Sequence, residues 1–184
     1  NGSSGGKNTI NTAAMSGNVS INLSTGSANL GGTSLTIQNP TNFHNLFSGD
    51  GDDTLVANNN KGILDGGRGS NTLTGGSGKN LFVVHQRDNG LDTINSFSVA
   101  QGDRIDLVGF DGLAYSDLTI TQQGADVSIT GFDNNQSILL KDMTAGSLTS
   151  AQFVFQDSFV APQGFINSGS SDDTLIGNSQ DIEL

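Results

Sequence analysis

The chain has 184 residues, enough for one large domain or two small ones, with 17 Asp but one Glu, 26 Gly and 20 Asn. This wealth of turn formers argues against a helical bundle or a Rossmann-type enzyme, and the net charge of −11 argues against nucleic acid or an anionic membrane as partner. The absence of cysteine excludes disulfides and zinc–thiolate sites, and no apolar run approaches the ~20 residues of a membrane-spanning helix, so we expect no membrane insertion.

The first predicted element lies at the N-terminus, in residues 3–11. This segment fits a nine-residue pattern in which turn-type residues precede a short stretch centred on an apolar residue, Ile10. Residues 19–35 follow with a strand-like composition. The chain begins at Asn1, with neither an initiator Met nor a signal peptide, so we expect a processed or excised piece.

Four tandem nonapeptides begin at Ser48 and read SGDGDDTLV, ANNNKGILD, GGRGSNTLT and GGSGKNLFV. Each has a large apolar residue at its eighth position, and these residues are Leu55, Leu64, Leu73 and Phe82. The pattern predicts a loop followed by a very short strand, repeated in register. Two nonapeptides then make one coil of 18 residues, with a loop at each edge and the eighth residues stacked inside.

These nonapeptides resemble the glycine-rich repeat of RTX proteins, G-G-x-G-x-D-x-(apolar)-x. Residues 66–74 and 48–56 are the close matches. The resemblance implies a calcium-binding parallel β-roll. The predicted fold is therefore all-β, a right-handed solenoid of nonapeptide half-coils with flanking extra strands.

The resemblance extends over most of the chain. Residues 19–35 resemble the strand that precedes the roll in secreted proteases and adhesins. The segments GLDTI at 90–94 and GDRIDL at 102–107 resemble the part that closes such rolls. Strands are then expected at residues 117–121, 126–129, 137–140 and 153–155. We divide the chain into an N-terminal roll remnant with strands (1–40), the roll (41–110), closing strands (111–156), and a linker that begins a second roll (157–184).

The repeat returns at the C-terminus. Residues 168–176 form a nonapeptide, and residues 177–184 form eight-ninths of another. Joining Leu184 to Asn1 continues the pattern with one extra residue. We therefore expect copies to stack end to end, either in a tandem array or in a polymer. The alternative is that the ends of the sequence fall inside a repeat by chance.

Calcium (Ca²⁺) takes six to eight oxygen ligands, which Asp, Asn and the carbonyl groups of glycine-rich loops supply. In the family, the Asp at the sixth position provides the carboxylate. On the first edge, formed by loops 48–53 and 66–71, Asp53 faces Asn71, with Asp50 and Asp52 nearby. We expect calcium there.

The second edge, formed by loops 57–62 and 75–80, has a different composition. Gly62 faces Asn80 there, and Lys61 and Lys79 occupy equivalent positions 18 residues apart. Two ammonium groups without a carboxylate make a poor calcium site. We expect this edge to be metal-free and held by Asn side chains and backbone hydrogen bonds.

Further ligand candidates lie outside the tandem run. Asp92 and Asp103 are each sixth in a degenerate nonapeptide, with Asp88 and Asp106 as helpers. Asp172 and Asp173 form a half-site, whose partner would lie near Asn8 of a following copy. For any single Asp, the alternative is a turn or an Asx cap.

The leading functional hypothesis is a secreted, bacterial, extracellular or cell-surface module that binds calcium and has a structural or adhesive role. No nucleophile, EF-hand or P-loop signature is present, so we expect no enzymatic activity. The alternative is an accessory module of a secreted protease or polysaccharide epimerase. In that case a basic strip of Lys61, Lys79, Arg68 and Arg87 would bind an anionic polysaccharide. An enzyme in its own right is a third possibility.

Overall fold

The computed structural model describes residues 7–87 and 89–156, and this part contains fifteen strands and no α-helix. The strands are β1 (Asn8–Asn11), β2 (Val19–Asn22), β3 (Ser27–Leu30), β4 (Thr33–Thr36), β5 (Phe43–Phe47), β6 (Thr54–Val56), β7 (Gly62–Asp65), β8 (Thr72–Thr74), β9 (Asn80–His85), β10 (Gly90–Asn95), β11 (Arg104–Val108), β12 (Thr119–Gln123), β13 (Asp126–Thr130), β14 (Gln136–Leu140) and β15 (Phe153–Gln156). Single 3-10 turns lie at Pro40–Asn42, Tyr115–Asp117, Asp133–Asn135, Ala145–Ser147 and Ser150–Gln152. No helix among these residues is long and apolar enough to cross a membrane.

The strands form two sheets. The six-stranded sheet has the order β1-β5-β7-β9-β11-β15, and all its pairings are parallel. The nine-stranded sheet has the order β12-β13-β14-β10-β8-β6-β2-β3-β4, with a parallel centre and an antiparallel pair added at each end. From β5 to β11 the chain alternates between the two sheets, so each loop crosses from one sheet to the other. This is the predicted β-roll.

The register confirms the coil of 18 residues. Thr54 of β6 pairs with Thr72 of β8, and Ile63 of β7 pairs with Leu81 of β9. The next coils are longer, because the loops that precede β10 and β11 carry additional residues. The coils formed by the tandem repeat therefore have fewer residues than the coils that follow them.

The eighth residues of the nonapeptides form the core. Leu55, Leu64, Leu73 and Phe82 are all completely buried, and each stacks on its equivalent in the neighbouring coil. Burial of a Leu or Phe side chain contributes about 1.5–3 kcal/mol to the free energy of folding. The stack continues through Ile94 in the nine-stranded sheet and into β11 in the six-stranded sheet.

The flanking strands differ from the prediction in detail. Residues 19–35 form parts of three antiparallel strands rather than one, because turns at Gly26 and at Gly31–Gly32, all with positive φ, reverse the chain. The strand predicted to begin at residue 117 begins at Thr119. Asp117 instead closes a 3-10 turn, in which its carboxylate accepts a hydrogen bond from the backbone N–H of Ala114. Residues 157–184, and with them the second roll, lie outside the described residues.

Candidate metal centre

The first edge is formed by the stacked loops that precede β2, β6, β8 and β10. These loops lie against each other backbone to backbone. A Cβ atom on Gly67 would lie 2.2 Å from the carbonyl oxygen of Gly49, and one on Gly69 would lie 1.9 Å from that of Gly51. Carbonyl oxygens are therefore turned toward the adjacent loop, which places several oxygen donors at this edge.

A ladder of side-chain hydrogen bonds links successive loops of the first edge. Asp53 Oδ1 accepts a hydrogen bond from the backbone N–H of Val19 at 2.6 Å. Asn71 Oδ1 accepts one from Asp53 N–H at 3.0 Å, and Asp92 Oδ1 accepts one from Asn71 N–H at 2.9 Å. Asp53, Asn71 and Asp92 are all buried and occupy equivalent positions in successive coils. One oxygen of each of these side chains is thus used to hold the coils together.

The second oxygen of Asp53 is the strongest sign of a metal. Asp53 is 1% exposed, and its Oδ2 accepts no hydrogen bond of standard geometry from any described residue; the Ser48 hydroxyl lies near this carboxylate but donates to the carbonyl oxygen of Asp65 at 3.4 Å. Burial raises the pKa of this carboxyl above 3.8, and the charges of Asp52 and Asp50 raise it further, while the Ser48 hydroxyl and the Val19 N–H lower it. A buried carboxylate with a free oxygen, beside two more carboxylates and several carbonyl groups, is a hard oxygen donor set. These residues fit calcium.

The neighbouring acids complete this donor set only in part. Asp50 and Asp52 are both exposed, and Asp52 Oδ1 accepts a hydrogen bond from the backbone N–H of Ser70 at 2.7 Å. Among the described residues, no three His, Asp or Glu side chains converge on a point that could hold a metal ion. A bound ion would therefore depend on backbone carbonyl oxygens as well as on Asp53.

The next carboxylate along the first edge has a partner within the protein. Asp92 Oδ2 lies 2.8 Å from Arg87 Nη2, and the two side chains are 2% and 8% exposed. Burial raises the pKa of Asp92 above 3.8, and the charge of Arg87 is the largest opposing influence. Asp92 and Asp53 thus share a ladder position but have different surroundings.

On the second edge, side-chain amides donate hydrogen bonds to the carbonyl groups of the loops. Asn80 Nδ2 donates to the carbonyl oxygens of Gly78 at 2.7 Å and of Gly76 at 3.2 Å. The Gln101 amide faces three acceptors of the same loop, so its nitrogen is turned toward them and donates to Gly76, Ser77 and Gly78 at 3.1–3.2 Å. Asn side-chain contacts are therefore present at this edge, as the sequence predicts, and the absence of a metal from it stays a prediction.

Asp103 and Asp106 have less metal-like surroundings than Asp53. Asp103 is fully buried, and its Oδ1 and Oδ2 accept hydrogen bonds from the backbone N–H groups of Asn80 and Ser98, at 2.7 and 2.9 Å. Asp106 lies inside β11, in register with Val83 and Val154, away from the loops of either edge.

The structure therefore gathers part of the predicted ligand set. The predicted ligands found on the first edge are Asp50, Asp52, Asp53, Asn71 and Asp92. Asp103 lies on the second edge and Asp106 in the six-stranded sheet. Asp88, Asp172 and Asp173 lie outside the described residues.

The predicted basic strip needs correction. Arg87 is buried against Asp92, and Arg68 lies on the first edge, so neither joins Lys61 and Lys79. The two lysines instead line a groove of about 320 Å³ on the outer face of the six-stranded sheet, together with Lys7 and Arg104. Sequence reasoning missed these two cations. For Lys7 the signal was present, since Lys7, Lys61 and Lys79 are each fifth in their nonapeptide.

Comparison with known proteins identifies the family. The model of the family described as Peptidase M10 serralysin C terminal matches residues 2–124, which include all the loops of the first edge. The chain belongs to this family. Serralysin C-terminal domains are of the RTX type, bind calcium as a family, and are accessory modules of secreted bacterial proteins.

The other comparisons add little to this assignment. The chain is similar to the solution structure of the AlgE6R3 subunit from the Azotobacter vinelandii mannuronan C5-epimerase, with 26% sequence identity and a TM-score of 0.46. The similarity covers 72% of this chain and 86% of that chain. The comparison with curated proteins finds no match.

Proposed function

We propose that this serralysin C-terminal domain is a secreted, non-catalytic structural module that binds calcium at its first edge and needs the ion to order that edge, while the rest of the roll folds without it. The observation that carries the proposal is Asp53, a buried carboxylate whose second oxygen has no hydrogen-bond partner in the described part of the chain. An isolated buried carboxylate is costly, and a bound cation removes that cost.

The physical logic connects charge with location. Where calcium is scarce, Asp50, Asp52 and Asp53 repel each other, and the stacked loops that they occupy are weakened. Where calcium is plentiful, as outside the cell, the ion neutralises them, and its binding free energy becomes folding free energy. Membership of a family found in secreted bacterial proteins supports this order of events.

The test is a calcium titration of the metal-stripped chain, followed by far-UV circular dichroism. We expect a cooperative gain of β signal with calcium, and a markedly weaker response in Asp53→Asn. The matched control is Asp142→Asn, which removes one negative charge from an exposed residue with positive φ, a conformation that Asn tolerates. A spectrum that is already rich in β signal and does not change with calcium would contradict the proposal.

End-to-end stacking of copies is the second part of this proposal. In the described residues β1 is the outermost strand of the six-stranded sheet, pairs only with β5, and belongs to the N-terminal repeat. An outermost strand of this kind is suited to pairing with another chain. Residues 168–176 of a second copy have the matching repeat pattern, and Asp172 and Asp173 would supply carboxylates at the junction.

Sedimentation velocity tests the stacking. We expect calcium to shift the chain to larger, concentration-dependent species, and Asp173→Asn to reduce that shift without changing the fold of the monomer. The control is again Asp142→Asn, which lies outside the repeat. A chain that stays monomeric at all calcium and protein concentrations would refute the stacking.

A second candidate function is binding of an anionic polysaccharide in the groove on the six-stranded sheet. Lys7, Lys61, Lys79 and Arg104 are four of the seven Lys and Arg residues, and no acid among the described residues lines the groove with them. They extend across five consecutive strands of the six-stranded sheet, β1, β5, β7, β9 and β11. Four spacings of ~4.8 Å span roughly 19 Å, a length of several sugar units.

The polysaccharide proposal is tested with a polyuronate and with a neutral glucan of the same length. We expect binding of the polyuronate only, weakening with salt, and lost in Lys61→Gln/Lys79→Gln. The matched control is Arg68→Gln, since Arg68 lies on the first edge. Equal affinity for the neutral glucan would exclude this function.

A further inference from the structure

The Arg87–Asp92 ion pair lies on the calcium edge, at a ladder position equivalent to that of Asp53. Thr54 of β6 pairs with Thr72 of β8, which pairs with Thr93 of β10, so the residues preceding them, Asp53, Asn71 and Asp92, form one column. Each accepts a backbone hydrogen bond through Oδ1. The two carboxylates of the column therefore start from the same local geometry.

The two carboxylates differ in what lies at their second oxygen. Neither Oδ2 accepts a hydrogen bond of standard geometry from the described chain, but Asp92 Oδ2 lies 2.8 Å from Arg87 Nη2, whereas Asp53 has no ion pair with a described residue. Both carboxylates are almost completely buried. Arg87 thus supplies a positive counter-charge to Asp92, and no described side chain supplies one to Asp53.

The surroundings of Arg87 are shaped to hold its guanidinium group. Gly90 has φ +130°, which favours glycine, and a Cβ atom there would lie 2.5 Å from Arg87 Nε, so a side chain would displace the guanidinium group. Gln136 fixes the backbone on the other side, accepting from Arg87 N–H at 3.1 Å and donating to the carbonyl oxygen of His85 at 2.9 Å. All three guanidinium nitrogens of Arg87 are buried and make no hydrogen bond of standard geometry to a described residue, so the ion pair with Asp92 is the main compensation for this charge.

We propose that Arg87 is a built-in cation that takes the place of calcium at the rung of β10. Asp92 is then a counter-ion in the wild-type chain and a latent calcium ligand that Arg87 blocks. The calcium-dependent column ends at loop 66–71, and the coils that follow need no ion on this edge. The inference rests on the proposed calcium binding at Asp53, and it replaces the sequence-based expectation that Asp92 is itself a ligand.

The test uses the full 184-residue chain, stripped of metal and titrated with calcium chloride. Bound ions are counted by calorimetry, and unfolding by urea is followed with and without EDTA. In EDTA, Arg87→Gln lowers the folding equilibrium constant by about 100-fold or more, because a buried carboxylate loses its counter-charge. Calcium restores most of that loss, and the variant binds one ion more than the wild-type chain.

Two control variants separate this role from a general effect of charge. Lys61→Gln removes the same charge from an exposed position on the second edge, away from the proposed calcium loops, and leaves the ion count and the stability in EDTA as in wild type. The double variant Arg87→Gln/Asp92→Asn removes both charges of the pair. It keeps the wild-type ion count and is more stable in EDTA than Arg87→Gln.

The outcomes that would overturn the inference are distinct from those that test the proposed function. An Arg87→Gln chain that is equally weakened with and without calcium and gains no ion overturns it. If that variant does not fold at all, the double variant decides, since one ion fewer than wild type would make Asp92 a native ligand. A wild-type chain that binds no calcium refutes the proposed function. The ion count of Arg87→Gln is a separate measurement, and it tests the role of Arg87.

Discussion

Asp53 on the first edge and Asn80 on the second edge differ by one side-chain atom, an oxygen in Asp and an amide nitrogen in Asn. Asp53 and Asn80 are both sixth in their nonapeptides and both buried. The carboxylate of Asp53 can only accept hydrogen bonds, so among loops rich in carbonyl groups it needs a cation. The amide of Asn80 carries its own donors, which it directs at the carbonyl oxygens of Gly76 and Gly78. What distinguishes these positions is whether the second oxygen is paired: Asp103, on the second edge, has both oxygens bonded to backbone N–H groups, whereas Asp53 has only one so bonded.

Asn80→Ala tests whether this amide replaces a cation. The variant removes the Asn80 donor from the carbonyl oxygens of Gly76 and Gly78 and from Asp103 Oδ1, and leaves the Gln101 amide as the remaining side-chain donor to the two carbonyl oxygens. We expect the free energy of unfolding to fall by about 1–2 kcal/mol. The loss should be the same in calcium and in EDTA, as measured by urea denaturation. Asn59→Ala, at an exposed position of the adjacent loop, is the control and should change little. A loss that appears only in EDTA would show that this edge also binds calcium.

At the scale of elements, the period of the repeat predicted more than the flanking sequence did. The short strands β6 and β8 lie at the predicted residues, and β7 begins one residue earlier. The agreement is close because only one register of the repeat places every eighth residue in the core. The antiparallel strands β3 and β4 were not separated, since their pairing depends on turns with positive φ at Gly26 and Gly31. Local turn geometry of this kind leaves little trace in an apolar pattern.

Close stacking of the loops gives a prediction for glycine. Gly69 has φ +100° and its Cβ would meet the carbonyl oxygen of Gly51 at 1.9 Å, whereas Gly112 has φ +75° and open space. We expect Gly69→Ala to cost about 3–5 kcal/mol, from left-handed strain plus overpacking, and Gly112→Ala about 1–2 kcal/mol, from strain alone. Urea denaturation in saturating calcium measures both. Equal losses would mean that the loops can separate without penalty.

At the scale of the whole molecule, the proposed calcium ligands and the cationic groove lie on different surfaces. The acids Asp50, Asp52 and Asp53 lie on the first edge, whereas Lys61 and Lys79 line the groove on the six-stranded sheet. The net charge of −11 hides this division. The proposed calcium ligands and the cations of the groove share no residue, so we expect calcium and a polyuronate, if both bind, to do so without competing.

Part of the candidate site could be predicted from the sequence and part could not. The position of Asp53 follows from the repeat alone. The role of Arg87 does not, because a charged residue in a loop is ordinarily exposed and this one is buried. Its burial depends on Asp92 across the loop and on the absence of a side chain at Gly90, and both depend on the folded coil. Long-range pairing of this kind has no counterpart in the nine-residue period.

The raised pKa values set the pH dependence of the calcium-free protein. The pKa values of Asp53, Asp92 and Asp103 are all raised above 3.8, chiefly by burial. The folded state therefore binds more protons than the unfolded state in the range just above 3.8. The stabilisation is full below the ordinary pKa of Asp and is lost as the pH rises through the raised values. His85, whose pKa is raised by Asp65, acts in the same direction near neutrality.

In EDTA, we therefore expect the free energy of unfolding to rise as the pH is lowered from neutrality toward about 4. Calcium should reverse this trend, because protons compete with the ion for Asp53, so that the apparent calcium affinity falls on acidification. Urea denaturation at a series of pH values, with EDTA and with saturating calcium, measures both slopes. The Asp53→Asn variant should show a shallower slope in EDTA than wild type, since it lacks one of the three carboxyls. A calcium-free chain that loses stability steadily on acidification would mean that these buried carboxyls do not control its folding.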